Sequence, residues 1–231
     1  MKKLVVLTGA GISAESGLKT FRDMGGIWEQ YNVYEVASPE AWQSNPELVL
    51  RFYNERRKRL LEAKPNEAHQ MLAKLESEYD MTIITQNVDD LHERAGSKNI
   101  LHLHGELRKA RSECDENLVY EIDGWELKPG DKAEDGCQLR PHVVWFGEAV
   151  PMLPQAIEIT KQADIFVIIG TSLSVYPAAS LIEYVKSGAE IFYIDLKPGN
   201  IFRNGVTVIQ DKATTGVKKL VEKYLKPKKI T

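Results

Sequence analysis

The chain has 231 residues, 43% of them hydrophobic and 27% charged, with a net charge of −3. That balance predicts a soluble core of ordinary size, either one large domain or a domain with a small satellite. A Lys-rich tail at 226–229 is the main basic block, which argues against nucleic acid as chief partner, and no apolar run is long enough to span a bilayer.

A strand is expected to begin almost at the N-terminus, leaving no room for a signal or transit peptide. Two cysteines, Cys114 and Cys137, make no disulfide framework, so a reducing cytoplasm is the plain reading. Strand-like runs are predicted at 3–8, 81–85, 100–104, 142–146, 165–169, 190–194 and 206–209. Helix-like segments at 66–79, 151–162, 178–186 and 215–225 alternate with many of them. The pattern implies an α/β fold, a Rossmann-like doubly wound parallel sheet. Two stretches break the alternation: a helical one at 28–64 and a Gly/Asp/Glu-rich one at 108–138. Both read as insertions that form a smaller second domain, the larger one comprising about 1–27, 65–107 and 139–231.

The first run ends in Gly9-Ala10-Gly11-Ile12-Ser13, with Ala14 where a dinucleotide fingerprint wants a small residue. Gly9 suits a tight turn and Gly11 a close backbone approach, and a following helix N-terminus would favour a diphosphate. No strand ending in an acidic residue follows at the spacing a dehydrogenase needs for the adenosine ribose. Instead comes a glycine-containing stretch with Phe21, Arg22 and Asp23, which looks like a lid over the cofactor.

In open α/β sheets, ligands sit beyond the carboxyl ends of the strands. There the chain carries Gln86-Asn87-Val88-Asp89-Asp90-Leu91-His92, then His102-Leu103-His104-Gly105, then Gly170-Thr171-Ser172, then Asp195. Asn87 could equally be a helix N-cap with Asp90 completing it. His102 and His104 share one strand face and could bind metal, although a hydrogen-bonded cleft histidine is commoner. His104, beside a glycine at a strand end, is placed as a general base.

Taken together, Gly9-Ala10-Gly11-Ile12-Ser13, Phe21-Arg22-Asp23, Thr85-Gln86-Asn87-Val88-Asp89, His102-Leu103-His104-Gly105, Val144-Trp145-Phe146-Gly147-Glu148 and Gly170-Thr171-Ser172 resemble the sirtuin family of NAD-dependent protein lysine deacylases. The resemblance implies that Gly9, Ala10, Gly11, Ile12, Phe21 and Arg22 line NAD and its lid. It gives Gln86, Asn87 and Asp89 the nicotinamide end, and Gly170, Thr171, Ser172, Asp195 and Ala213 the adenosine half. The family commonly has Asn where Asp195 stands. His104 matches the family's catalytic base. In the implied reaction the acyl-lysine carbonyl oxygen attacks the ribose carbon bearing nicotinamide. His104 then takes a proton from a ribose hydroxyl, and the products are nicotinamide, free lysine and O-acyl-ADP-ribose. The 144–148 and 174–177 segments resemble two edges that take the substrate peptide as an added strand, with Val144, Phe146, Gly147, Glu148 and Tyr176 as contacts.

One departure is that most sirtuins hold a structural zinc through two Cys-x-x-Cys pairs in the second insertion. Here Cys114 has no partner at that spacing and Ser112 stands where a cysteine might. Two thiolates do not make a tetrahedral site, so zinc is not expected. The insertion should be held by Leu118, Val119, Tyr120, Ile122, Trp125 and Leu127.

Asn45 and Pro46 predict a helix running to about residue 63, with Val49, Phe52 and Leu60 on its buried stripe. Tyr53 and Arg56 fall on that stripe, whereas Arg57, Lys58 and Arg59 mostly point away. The Tyr53-x-x-Arg56 pair resembles class III sirtuins of the bacterial desuccinylase/deacetylase type, in which Tyr and Arg hold an acyl carboxylate and a small residue, here Ala37, opens the acyl pocket. An arginine fork suits a carboxylate. The resemblance thus implies removal of succinyl, malonyl and acetyl groups. Alternatives are a deacetylase in which Arg56 is structural, an NAD or ADP-ribose sensor, a mono-ADP-ribosyltransferase, or a hydride-transferring oxidoreductase.

Overall fold

The computed structural model describes residues 1–18, 32–199 and 203–225. Strands β1 (Lys3–Thr8), β2 (Asp80–Thr85), β3 (Ile100–His102), β4 (Gly105–Ser112), β5 (Val119–Glu121), β6 (Leu139–Val143), β7 (Ile165–Ile169), β8 (Glu190–Asp195) and β9 (Val206–Gln210) form two sheets. The large one is six-stranded and parallel in the order β3-β2-β1-β7-β8-β9. Its strand order reverses between β1 and β7, where open α/β sheets bind ligands. The small sheet is antiparallel, in the order β5-β4-β6.

Helices α1 (Val33–Val36), α2 (Pro39–Ser44), α3 (Pro46–Glu62), α4 (Glu67–Leu75), α5 (Leu91–Ala95), α6 (Leu153–Lys161) and α7 (Ala213–Leu220) complete the fold. Because strand side chains alternate faces, β1 feeds two cores. Leu4 and Val6 pack with Leu72 of α4 and Val217 of α7, while Val5 and Leu7 pack with Ala156 of α6 and Leu181. A third core joins α1–α3 to the small sheet through Trp42, Phe52, Tyr53, Leu107, Ile122 and Trp145. The result is a Rossmann-like α/β fold with a small second domain.

Several elements differ from expectation for identifiable reasons. After β1 come two 3-10 turns, Ala10–Ile12 and Ala14–Ser16, ended by Gly17 at φ 87°, so the glycine turn opens onto no α-helix among the described residues. The strand expected at 142–146 lies at 139–143 and pairs antiparallel with β4. A three-residue strand, β5, forms within the 108–138 insertion, where no strand is predicted. In the 108–138 insertion Ile122 and Leu127 are buried, but Val119 and Trp125 are exposed, so packing there is narrower than expected. The two cysteine sulfurs are also bonded to each other, Cys114 to Cys137, which corrects the reading of two unpaired thiols.

Candidate active site

The crossover from the large sheet to the small one places the principal histidine. β3 ends at His102 and β4 begins at Gly105, whose φ of 80° and whose contact with the His142 carbonyl leave no room for a Cβ. His104 stands between them. Its Nδ1 lies 3.0 Å from the Gln86 carbonyl, which can only accept, so Nδ1 carries the proton and Nε2 is the basic nitrogen. Burial lowers its pKa below the ordinary histidine value, partly offset by that hydrogen bond.

His102 has another fate. Its Nδ1 meets the Asn87 carbonyl at 3.1 Å and its Nε2 meets Glu93 at 2.7 Å. Burial works against protonation, but the Glu93 hydrogen bond and charge raise its pKa overall. With both nitrogens occupied, His102 is a holder rather than a base.

Asn87 and Asp89 follow β2, both nearly buried. Asn87 donates through Nδ2 to the Gly9 carbonyl at 3.2 Å and to Ser13 Oγ at 3.3 Å. Ser13 Oγ in turn donates to Asp89 Oδ2 at 2.9 Å, and Asp89 Oδ1 accepts from the Leu91 N–H. Asn87 is therefore no N-cap; Asp89 receives the first helical N–H instead. Burial raises the Asp89 pKa, opposed by the Ser13 and Leu91 hydrogen bonds.

The two glycine-bearing loops at the switch point touch each other. A Cβ on Gly11 would sit 2.6 Å from Gly170 Cα, and Gly11 N–H donates to the Gly170 carbonyl at 2.8 Å. Close approach at Gly11 thus serves loop-to-loop packing, where a ligand had been expected. Beyond them Gln86 Nε2 donates to Thr171 Oγ1 at 3.3 Å, and Asp195 Oδ1 accepts from the Lys197 N–H at 2.7 Å.

On the small-sheet side Tyr53 is buried and its hydroxyl accepts from Trp145 Nε1 at 2.9 Å; burial pushes its pKa up to about 12. The Arg56 guanidinium lies 5.7 Å from the Tyr53 ring centroid. Burial lowers its pKa, against the charges of Tyr53 and Asp89. Glu148 spends both oxygens internally: on Arg140 at 2.7 and 3.1 Å, on Arg111 at 3.4 Å and on the Trp145 N–H at 2.7 Å. That fixes the 144–148 turn, with Phe146 N–H donating to the Ala37 carbonyl at 3.0 Å.

One cleft of about 970 Å³ gathers Gly9, Ala10, Gly11, Gln86, Asn87, Asp89, His104, Gly170, Thr171, Ser172, Asp195 and Ala213. The same cleft is lined by Ala37, Tyr53, Arg56, Val144, Phe146, Gly147, Glu148 and Tyr176. Ile12 is the exception: its side chain is fully buried in the core, and its backbone alone serves the loop, the N–H donating to the Gly9 carbonyl at 3.1 Å and the carbonyl accepting from Asn66. Phe21 and Arg22 lie outside the described residues. Sequence reasoning placed Trp145 only within the 144–148 edge and gave no role to Lys197 and Lys212 beyond β8 and β9; the Tyr53–Trp145 bond joins positions too distant in sequence for any local pattern to reveal.

The groups present fit a dinucleotide. The cleft crosses the switch point, lined by the buried amide and carboxylate of Asn87 and Asp89 after β2 and by Asp195, Lys197 and Lys212 from beyond β8 and β9. Zinc is a different matter. Cys114, Asp135 and Cys137 bring ligand atoms within 4.8 Å of one another, so the expectation that this insertion has no metal-binding set is not supported. As bonded, the sulfurs offer no thiolate; reduced, they and Asp135 would fall one ligand short of a closed tetrahedron. Among the described residues no helix is long and apolar enough to cross a membrane.

Residues 9–177 match the Sir2 family. The chain is 57% identical, over 97% of its length and 98% of the relative's, to an NAD-dependent protein deacylase of Helicobacter pylori. It superposes with a TM-score of 0.87 on a Sir2 homologue–NAD complex, 42% identical, covering 96% of this chain and 88% of the other. A Sir2 protein with a deacetylated p53 peptide and 3'-O-acetyl ADP-ribose aligns at 0.82 and 33% identity, over 95% and 92% of the chains.

Proposed function

This chain belongs to the Sir2 family, and from that premise we propose that it is an NAD-dependent protein lysine deacylase acting on succinyl-, malonyl- and acetyl-lysine. The observation that carries the reading is His104, a neutral imidazole with its proton fixed on Nδ1 and a basic Nε2, in the same cleft as Asn87 and Asp89. When bound, NAD supplies an electrophilic ribose carbon and nicotinamide as the leaving group.

The chain's residues then divide the work. Asn87 has its amide nitrogen committed to Gly9 and Ser13, so its carbonyl oxygen is the group for a carboxamide N–H, with Asp89 beside it. Gly9–Gly11, Gly170–Ser172, Asp195 and Ala213 hold the remainder of the dinucleotide. His104 Nε2 takes the ribose hydroxyl proton; an imidazole titrating below neutrality is unprotonated at working pH. Val144–Glu148 and Tyr176 accept the peptide as an added strand, which leaves the flanking sequence loosely specified. In the acyl pocket beside Ala37, Arg56 provides charge and Tyr53 a hydroxyl for a terminal carboxylate. A cytoplasmic setting, where NAD and acylated proteins meet, is part of the proposal.

Mass spectrometry of acetyl-, malonyl- and succinyl-lysine peptides with NAD tests it. Acyl loss matched by release of free nicotinamide and O-acyl-ADP-ribose is expected. Formation of reduced cofactor, or NAD binding without acyl loss, would overturn the reading.

A further inference from the structure

Beneath the cleft lies a buried histidine pair that the reaction as described does not use. His69 of α4 and His92 of α5 are at most 1% exposed, with ring centroids 4.9 Å apart in an edge-on arrangement. The hydrogen-bond partners fix both tautomers. The Asn66 backbone N–H donates to His69 Nδ1 at 3.3 Å, so that nitrogen is bare and the proton sits on Nε2. On the other ring, Nε2 lies 3.1 Å from Thr8 Oγ1, whose single proton goes to Thr85 Oγ1 at 2.8 Å. His92 Nε2 must therefore donate, which leaves its Nδ1 bare.

The two nitrogens without partners are His69 Nε2 and His92 Nδ1. By the assignments above one is a donor and the other an acceptor, on adjacent rings. Burial lowers both pKa values and keeps both rings neutral, which the assignments require.

This chain of groups ends at the cleft. Thr85 Oγ1 accepts from the Asn87 backbone N–H at 3.0 Å, and Asn87 Nδ2 holds the Gly9 carbonyl. At its other end Asn66 Nδ2 donates to the Ile12 carbonyl at 2.8 Å and to Ser16 Oγ at 2.9 Å. Both ends thus grip the same 9–16 loop. We propose that His92 is a positioning residue for the carboxamide subsite, setting Asn87 through Thr8 and Thr85, with His69 as its complementary partner. The inference rests on the reading that Asn87 meets the nicotinamide end of NAD.

The geometry predicts selectivity within the cofactor site. ADP-ribose lacks the nicotinamide ring and meets the 9–16 loop, which Asn66 also holds, so it should sense His92 far less than nicotinamide does. His92→Phe is expected to weaken nicotinamide inhibition and base exchange about tenfold, the size of one buried hydrogen bond, with ADP-ribose affinity changed by less than about twofold. His92→Gln, whose amide can donate to Thr8, should recover most of the loss. Thr85→Val, which removes the acceptor with little change of shape, should repeat the His92→Phe result and add nothing to it in the double variant.

Nitrogen-15 shifts of the wild-type imidazoles should show His92 protonated on Nε2 and His69 likewise. Equal losses for nicotinamide and ADP-ribose, no recovery with Gln, or the opposite His92 tautomer would overturn the proposal. A wild-type protein that binds ADP-ribose but not nicotinamide would instead overturn the reading on which it rests, and the tautomer measurement keeps the two failures apart.

Discussion

His102 ends β3 and His104 stands two positions on, between β3 and β4, and their hydrogen bonds separate them. The Gln86 carbonyl accepts from His104 Nδ1 and leaves Nε2 basic, while the Asn87 carbonyl and Glu93 occupy His102 at both nitrogens. His104→Ala should lower turnover by about 10²-fold or more while NAD still binds, the cost of losing a positioned general base. Because burial lowers the His104 pKa from 6.5, the acid limb of kcat/KM should fall below that pH, as the base is active only above its own pKa. A limb above 6.5, or near-normal turnover in the variant, would remove His104 from the proton transfer. Arg56 makes a second, separable prediction. Arg56→Met should cost about 2–4 kcal/mol in kcat/KM for succinyl-lysine, as for one partner of a buried charge pair, and much less for acetyl-lysine. Equal losses on both substrates would make Arg56 structural and the protein a deacetylase.

At the scale of elements, α3 shows where periodicity reads well and where it stops. Its N-cap Asn45, its first-turn Pro46 and its buried Val49, Phe52 and Leu60 follow from the sequence, and Asn45 Oδ1 does accept from the Leu48 N–H at 3.1 Å. Arg57 contradicts the pattern: expected to point away, it is fully buried. Its guanidinium reaches three acceptors, the Leu107 carbonyl at 2.7 Å, Asn54 Oδ1 at 2.8 Å and the Trp125 carbonyl at 2.7 Å. Asn54 is a neighbour on α3 itself, but the two carbonyls come from β4 and from Trp125 of the insertion, which no local pattern in α3 could supply. Burial lowers the Arg57 pKa to about 10. Replacing it by Met should destabilise the fold by about 1–3 kcal/mol, because the carbonyls lose their donor even as a desolvated charge is relieved; an unchanged denaturant midpoint would mean the staple is worth nothing.

The 108–138 insertion is the other place where sequence fell short, because pairing depends on how β4 and β6 bring residues 114 and 137 together. The Cys114–Cys137 bond spans a sequence separation of 23, and closing such a loop stabilises by about 3 kcal/mol in the chain-entropy account. Reductant should therefore lower the melting temperature of the oxidised protein, whereas a strong chelator should not, since bonded sulfurs are not metal ligands. Stoichiometric zinc by elemental analysis, or melting sensitive to chelator alone, would show a metal-holding insertion built on Cys114, Asp135 and Cys137.

For the molecule as a whole, its buried histidines make stability a function of pH with two opposing signs. His69 is fully buried, and desolvation lowers its pKa from 6.5 to about 4. Between those values the unfolded chain binds more protons than the native one. The stabilisation is complete above 6.5 and is lost as pH falls toward about 4, on the order of 3 kcal/mol from this residue. His92 is shifted in the same direction and adds to the loss. His102 runs the other way. The Glu93 pairing raises its pKa, so its contribution is present below 6.5 and is lost as pH rises through the raised value. Asp89, with a raised pKa, opposes the histidines from the acid side. The two histidine signs meet near the unperturbed value, and stability should peak close to pH 6.5, falling more steeply on the acid side. The decisive variant follows from the capping geometry. Asn66 and His69 form a reciprocal cap on α4, and Gln is an ordinary residue at that third position. His69→Gln keeps the cap and removes the titration, so it should flatten the acid slope between pH 6.5 and about 4 without a large loss at neutral pH. Urea midpoints measured across that range read the slope directly, and an acid limb as steep in His69→Gln as in the wild type would place the pH sensitivity elsewhere.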